Sequence, residues 1–131
     1  MPNILADSDD VGALATFIGY VRNDQGKVRG MSLEHYPGMA EQEVGKIALE
    51  AGQRWTLQVI QVIHRVGKLK PGEQIVFIGV ASAHRTDAFA ACEFIMDYLK
   101  TRAPFWKKEL GCDGEYWVEQ RQGDLERARR W

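Results

Sequence analysis

Cysteine is scarce in this chain. Only Cys92 and Cys112 occur, far apart and in no CxxC pair, which excludes a dithiol redox motif and a disulfide framework; in a reducing compartment both thiols stay free. Cys92 falls among apolar helix positions and is expected in the core, while Cys112, between Gly111 and Asp113, has no activating cation beside it. Long apolar runs are lacking too: no stretch approaches the roughly 18 residues that cross a bilayer, so no membrane span is expected. The opening residues, MPNILADSDD, have neither the basic nor the apolar region of a secretory signal, and a cytoplasmic location is the expectation. Charge of one sign is missing as well, since 17 Lys and Arg face 18 Asp and Glu for a formal net charge of -1. That balance argues against extended contact with a nucleic-acid backbone, although Arg127, Arg129 and Arg130 cluster beside Trp131. There is no Walker loop, no GxGxxG after a strand, no GxSxG and no HExxH, and His35, His64 and His84 are scattered. Neither a zinc site nor a serine nucleophile finds support.

What is present is an ordinary globular composition, 45% hydrophobic and 27% charged, over 131 residues. That length suits one domain spanning residues 1–131, able to bury roughly two thirds of its unfolded surface. Gly12 to Arg22 reads as a strand ending in the turn-prone NDQGK, with Met31 to Tyr36 as its partner. After Pro37, the residues Met39, Val44, Ile47, Ala48, Ala51 and Trp55 recur at helical spacing. A strand over 57–66, the turn GKLKPGE and a strongly apolar strand over 74–82 follow. A second helix from about Thr86 is expected to bury Phe89, Cys92, Ile95, Met96 and Leu99 and to end near Ala103, because Pro104 disfavours helix before it. A last strand fits Glu115 to Glu119. The order β-β-α-β-β-α-β predicts an α+β domain with a largely antiparallel sheet and two main helices.

Three clusters suit ligand contacts. Lys100, Arg102, Lys107 and Lys108 place four cations within nine residues that contain no acid, a local positive field suited to an anion. Two ammonium groups held about 5 Å apart would repel by roughly 3 kcal/mol at an effective dielectric near 20, enough to bring one lysine toward neutral-pH proton exchange. The alternative is an exposed basic helix end. Ser82-Ala83-His84-Arg85 lies between a buried strand and a helix start, where free N–H groups favour a phosphate; capping alone explains the same residues. Arg22 with Asn23 ends a strand and reads either as a cation reaching into a cleft or as a solvated strand end. Phe105 and Trp106 suit a flat heterocycle or the core.

These residues carry a resemblance. TFIGYVRN, LEHYPGMAE, VIHRVGKLKPGE, SAHR, FIMDYLKTRAPFWKKE and DGEYWVE stand in the order and spacing of the large, catalytic subunits of molybdopterin synthase, from about Gly12 to Trp131. The chain resembles that family. The resemblance implies a fold of the α/β-hammerhead type and a homodimer in which each copy binds a small ubiquitin-like sulfur-carrier subunit, giving a heterotetramer. It implies that the carrier's C-terminal Gly-Gly thiocarboxylate delivers sulfur to cyclic pyranopterin monophosphate, forming the dithiolene of molybdopterin. Lys100 matches the family's essential lysine, for proton transfer and polarisation of the thiocarboxylate, and Lys107 a second functional lysine that stabilises negative charge. Arg22, His84 and Arg85 match anion-pocket residues, the latter two supplied across the dimer interface, and Arg121 matches a further basic residue near the pocket. No cofactor or metal is implied at this step, because molybdenum enters afterwards. Family members usually carry additional residues before the segment that begins here at about Asp10. Two other classes stay open: a noncatalytic module that docks a ubiquitin-like carrier tail, and a small RNA-binding protein using the basic run and Trp106.

Overall fold

Two alternations, one at strand period and one at helix period, account for most of the architecture. A computed structural model describes residues 10–23, 26–35, 38–102, 105–111, 114–118 and 122–131. The elements are β1 (Ala13–Tyr20), β2 (Val28–His35), α1 (Met39–Arg54), β3 (Val59–His64), β4 (Gly67–Leu69), β5 (Gln74–Ser82), α2 (Arg85–Thr101), β6 (Phe105–Gly111), β7 (Gly114–Val118) and α3 (Gln122–Arg129). The fold is α+β. Its strands form two antiparallel sheets where the sequence suggested one: β1-β5-β3 and β4-β2-β6-β7.

In the first sheet, β5 is central and is buried from Val76 to Ser82. Val76, Ile78 and Val80 share one face and form the main core with Ile47 and Ala51 of α1 and Ala88, Ala91, Phe94 and Ile95 of α2. The α1 stripe is Ala40, Val44, Ile47 and Ala51, at steps of four, three and four. Met39, expected inside, is 57% exposed because it lies off that stripe. Phe89 corrects a second expectation. The α2 stripe runs through Ala88, Ala91, Cys92, Ile95 and Leu99, which turns Phe89 outward and leaves it 66% exposed. Burial, followed by the nearby Glu93 charge, pushes the Cys92 thiol up to about 11, so Cys92 behaves as a small apolar side chain.

The turn expected at GKLKPGE contains β4, which pairs with β2. Between β3 and β4 the chain therefore crosses from one sheet to the other. Arg65 holds this crossover: its N–H bonds the Ile75 carbonyl at 2.8 Å, and its guanidinium meets Gln74 O at 3.2 Å and Glu73 at 3.0 Å. Val21, Met31, Leu33 and Leu69, with Ile75 against them, fill the seam beneath. At the far end, the indole N–H of Trp131 donates to Asp97 Oδ2 at 2.6 Å, and its ring packs edge-on against Trp55 and Phe94. Arg130 reaches the same Asp97 oxygen at 3.1 Å and pairs with Glu93. The segment after β7 is thus latched onto α2.

Candidate functional site

Of the residues singled out in sequence, the basic run changes most on folding. Its residues 105–111 form β6, a strand that had not been expected, in the interior of the second sheet between β2 and β7. The fold then sorts the four cations. Arg102 donates to Glu43 at 2.8 Å and also pairs with Glu50, pinning the end of α2 to α1. Lys108 lies 4.6 Å from the ring centre of Trp117 on β7. Lys107 projects from the other side of β6, on the face of Phe105, since alternate residues share a face; its ammonium is 3.8 Å from Glu109, one position beyond the acid-free run. Lys100 is exposed at the last turn of α2. The uniform positive field expected of this run is thus broken up: Arg102 is paired with acids of α1, Lys108 lies on the Trp117 ring, Lys107 is paired with Glu109, and Lys100 is exposed at the end of α2.

Beside that start lies a cleft of about 450 Å³, lined by His35, Ala40, Glu41, Val44, Gly45, Val62, His64, Val66 and Phe105. Four elements build it. β2 ends at His35 and β3 at His64, and the β2–β6 register sets His35 opposite Phe105. The first half of α1 forms the remaining wall, and Glu41 caps that helix by accepting the Gly38 N–H at 2.6 Å. Bonds from its own N–H and that of Gly38 hold the Glu41 carboxyl below the usual carboxylate range. The His64 imidazole stacks on Phe105 at 4.0 Å and 10°. Its Nδ1 is 2.9 Å from the Arg65 carbonyl, an acceptor, so Nδ1 carries the proton and Nε2 presents a lone pair. Burial most of all, then the charges of Lys100 and His35, holds the imidazole below its ordinary pKa against the opposing effect of the Arg65 bond. Lys100 is thereby within electrostatic reach of this cleft.

Arg22 leaves β1 at the same end of the first sheet, because Tyr20 pairs with Gln74 and the Val21 carbonyl accepts the Gly72 N–H at 2.8 Å. His84 and Arg85 sit at the opposite end. They start α2, whereas Lys100 closes it, and the intervening rise of 1.5 Å per residue separates them by about 23 Å. One copy of the chain therefore does not bring the SAHR cluster to Lys100. Arg121 and Cys112 lie outside the described residues, as does the Trp106 side chain. His35 and His64 were passed over in sequence as scattered. That each closes a strand appears only in the structure, since the sequence pattern extends both strands past them, to Tyr36 and to residue 66; each does stand in a segment quoted for the resemblance. Among the described residues no group of three His, Cys, Asp or Glu side chains is placed to hold a metal ion, and no helix is long and apolar enough to cross a membrane.

The comparisons with known proteins agree with this architecture. The family model described as MoaE protein matches residues 2–102. The molybdopterin synthase catalytic subunit of Pseudomonas aeruginosa is 59% identical over 128 residues, covering 96% of this chain and 85% of that protein. Among solved structures, the molybdopterin biosynthesis MoaE protein of Burkholderia ambifaria superposes with a TM-score of 0.83 at 52% identity, over 98% of this chain and 85% of that one. The molybdopterin synthase of Staphylococcus aureus gives a TM-score of 0.80 at 33% identity, over 86% of this chain and 83% of that one. By sequence along nearly its whole length, and by fold, this chain belongs to the MoaE family of molybdopterin synthase catalytic subunits.

Proposed function

We propose that the chain converts cyclic pyranopterin monophosphate to molybdopterin, taking sulfur from the C-terminal thiocarboxylate of a small ubiquitin-like carrier subunit. Membership of the MoaE family carries the activity. The observation that supports the residue assignment is that Lys100 acts electrostatically on His64, which stacks on Phe105 at the start of β6, and that Lys107 lies on the Phe105 face of that strand, whereas Arg102 is pinned to α1 and Lys108 lies on Trp117. Lys100 moves protons and polarises the thiocarboxylate, and Lys107 stabilises charge that develops as the carbon–sulfur bond forms. Arg22 contributes from the end of β1. Because α2 separates His84 and Arg85 from Lys100 by about 23 Å, a second copy supplies them, with their helix N-terminus suited to the substrate phosphate. Arg121 joins the set on the resemblance alone. The working assembly is a dimer of this chain carrying two small subunits.

A single-turnover reaction with thiocarboxylated carrier and cyclic pyranopterin monophosphate, followed by mass spectrometry, tests this. Lys100→Ala is expected to fold and bind carrier yet form no dithiolene; turnover near wild type would remove Lys100 from its role. Arg85→Ala is expected to weaken substrate binding and leave carrier binding intact, and an unchanged substrate Kd would refute its assignment.

A further inference from the structure

The cleft within electrostatic reach of Lys100 is open along its α1 wall among the described residues. Gly45 lies within α1, where glycine weakens a helix relative to alanine. Gly45 lines the exposed rim of the cleft, and a methyl group built on it meets no described atom within 4 Å. The walls are apolar at Val44, Val62, Val66 and Phe105. The polar side chains among the lining residues mostly offer acceptors: His64, whose Nδ1 bond leaves Nε2 without a proton, and the carboxylate of Glu41, with His35 Nε2 at 4.0 Å from it. No lysine or arginine occurs among the described lining residues.

This chemistry selects among the parts of the two substrates. A phosphate or a thiocarboxylate would meet a carboxylate and no lining cation, a poor match for an anion. A glycine tail carries amide donors and carbonyl acceptors in alternation, and the cleft offers the carbonyls little. A flat, neutral ring with N–H groups along one edge suits apolar walls that bear hydrogen-bond acceptors, and about 450 Å³ is within the range of small-ligand pockets. We infer that the cleft takes the pterin ring of the substrate, His64 Nε2 accepting one ring N–H and the open face of Gly45 admitting the ring, while the phosphate stays outside with the cations. This rests on the functional reading above. It adds His64 as a residue that touches substrate and Gly45 as the position that sets the size of the guest.

The test is calorimetric titration of the purified chain with cyclic pyranopterin monophosphate and with a phosphate-free reduced pterin, in wild type, Gly45→Ala, Gly45→Leu and His64→Phe. Gly45→Leu fills the space and is expected to abolish binding of the phosphate-free pterin and weaken the substrate at least about tenfold. Gly45→Ala, which adds only a methyl, is expected to retain both. His64→Phe keeps a ring on Phe105 but removes the acceptor, and is expected to weaken both ligands about tenfold or more with carrier binding unchanged. If Gly45→Leu unfolds, His64→Phe decides. Unchanged affinity for both ligands in a folded His64→Phe overturns the inference and leaves the functional reading standing. Loss of carrier binding with pterin binding intact overturns it too, assigning the cleft to the carrier tail. A wild-type chain that binds no substrate overturns the functional reading and the inference together.

Discussion

The bond between Trp131 and Asp97 offers a quantitative test of how the end of α2 is held. Asp97 is 8% exposed and accepts the Trp131 indole N–H at 2.6 Å. A hydrogen bond to an ionised group contributes about 1.5–3 kcal/mol, and truncating one partner leaves the other unsatisfied. Asp97→Ala is therefore expected to cost about 2–3 kcal/mol. At about 3–5 °C per kcal/mol for a chain of this size, Tm falls by about 6–15 °C. Asp97→Asn keeps an acceptor and should cost less. Trp131→Phe removes the same donor while leaving a ring against Trp55 and Phe94. The double variant then supplies the decisive number. If the bond is made as described, the two costs overlap, and the double variant is less destabilised than the sum by about 1.5–3 kcal/mol. Urea unfolding followed by tryptophan fluorescence and circular dichroism measures each corner of the cycle. Additivity within about 0.5 kcal/mol would refute the argument. Because Lys100 lies one helical turn beyond Asp97, the same variants are expected to lower single-turnover rates without changing carrier affinity.

Three further outcomes follow from other features. Well above pH 6.5 His64 is neutral in folded and unfolded chains and contributes no pH dependence; as pH falls through 6.5 the unfolded chain takes a proton that the folded chain resists, so stability is lost toward the depressed folded value. Thermal melts of wild type and His64→Gln between pH 7.5 and 5.5 are expected to converge at the acid end, and parallel curves would contradict the burial argument. Gly12→Ala places a methyl 2.0 Å from the Ala83 carbonyl, backbone that cannot yield without moving His84; a loss of about 1–3 kcal/mol is expected in denaturant titration, and a neutral result would refute the close approach. Arg102→Met removes the partly exposed pairs with Glu43 and Glu50 and, after allowance for solvent screening, should cost about 1 kcal/mol. That difference should shrink in melts at high salt, and salt independence would count against an ionic pin.

The parts of the fold legible in sequence are those with a clean period. β5 was read at its observed bounds because a continuous apolar run allows little else, and α1 and α2 showed three-and-four spacing. β6 was hidden because its residues, FWKKELG, place apolar and charged side chains on both faces, as suits a strand with a cleft on one side and a Lys108–Trp117 contact on the other. β4 was hidden by its length, three residues inside a turn-rich segment. Phe89 stands three residues before Cys92 and so fits helical spacing, but the buried stripe runs through Ala88, Ala91, Cys92 and Ile95, which leaves it outside. At the site, the roles of Lys100 and Lys107 come from the resemblance, whereas the groups that take up Arg102 and Lys108, two acids of α1 and a ring on β7, lie outside the basic run. His35 and His64 meet only because Phe105 is brought to both by strand pairing. No local pattern contains that meeting.

The length of α2 has a genetic consequence. A helix that sets His84 and Arg85 at one end and Lys100 at the other makes these residues separate complementation units under the proposed dimer. A cell carrying one allele with Lys100 changed and another with Arg85 changed makes mixed pairs in which one of the two sites joins an intact lysine to an intact arginine. Random pairing makes half the dimers mixed, so about a quarter of the wild-type sites survive, from two alleles each inactive alone. Under that dimer, inactivating changes at these site residues sort into two classes by the end of α2 at which they fall, and only pairs drawn from different classes restore one another.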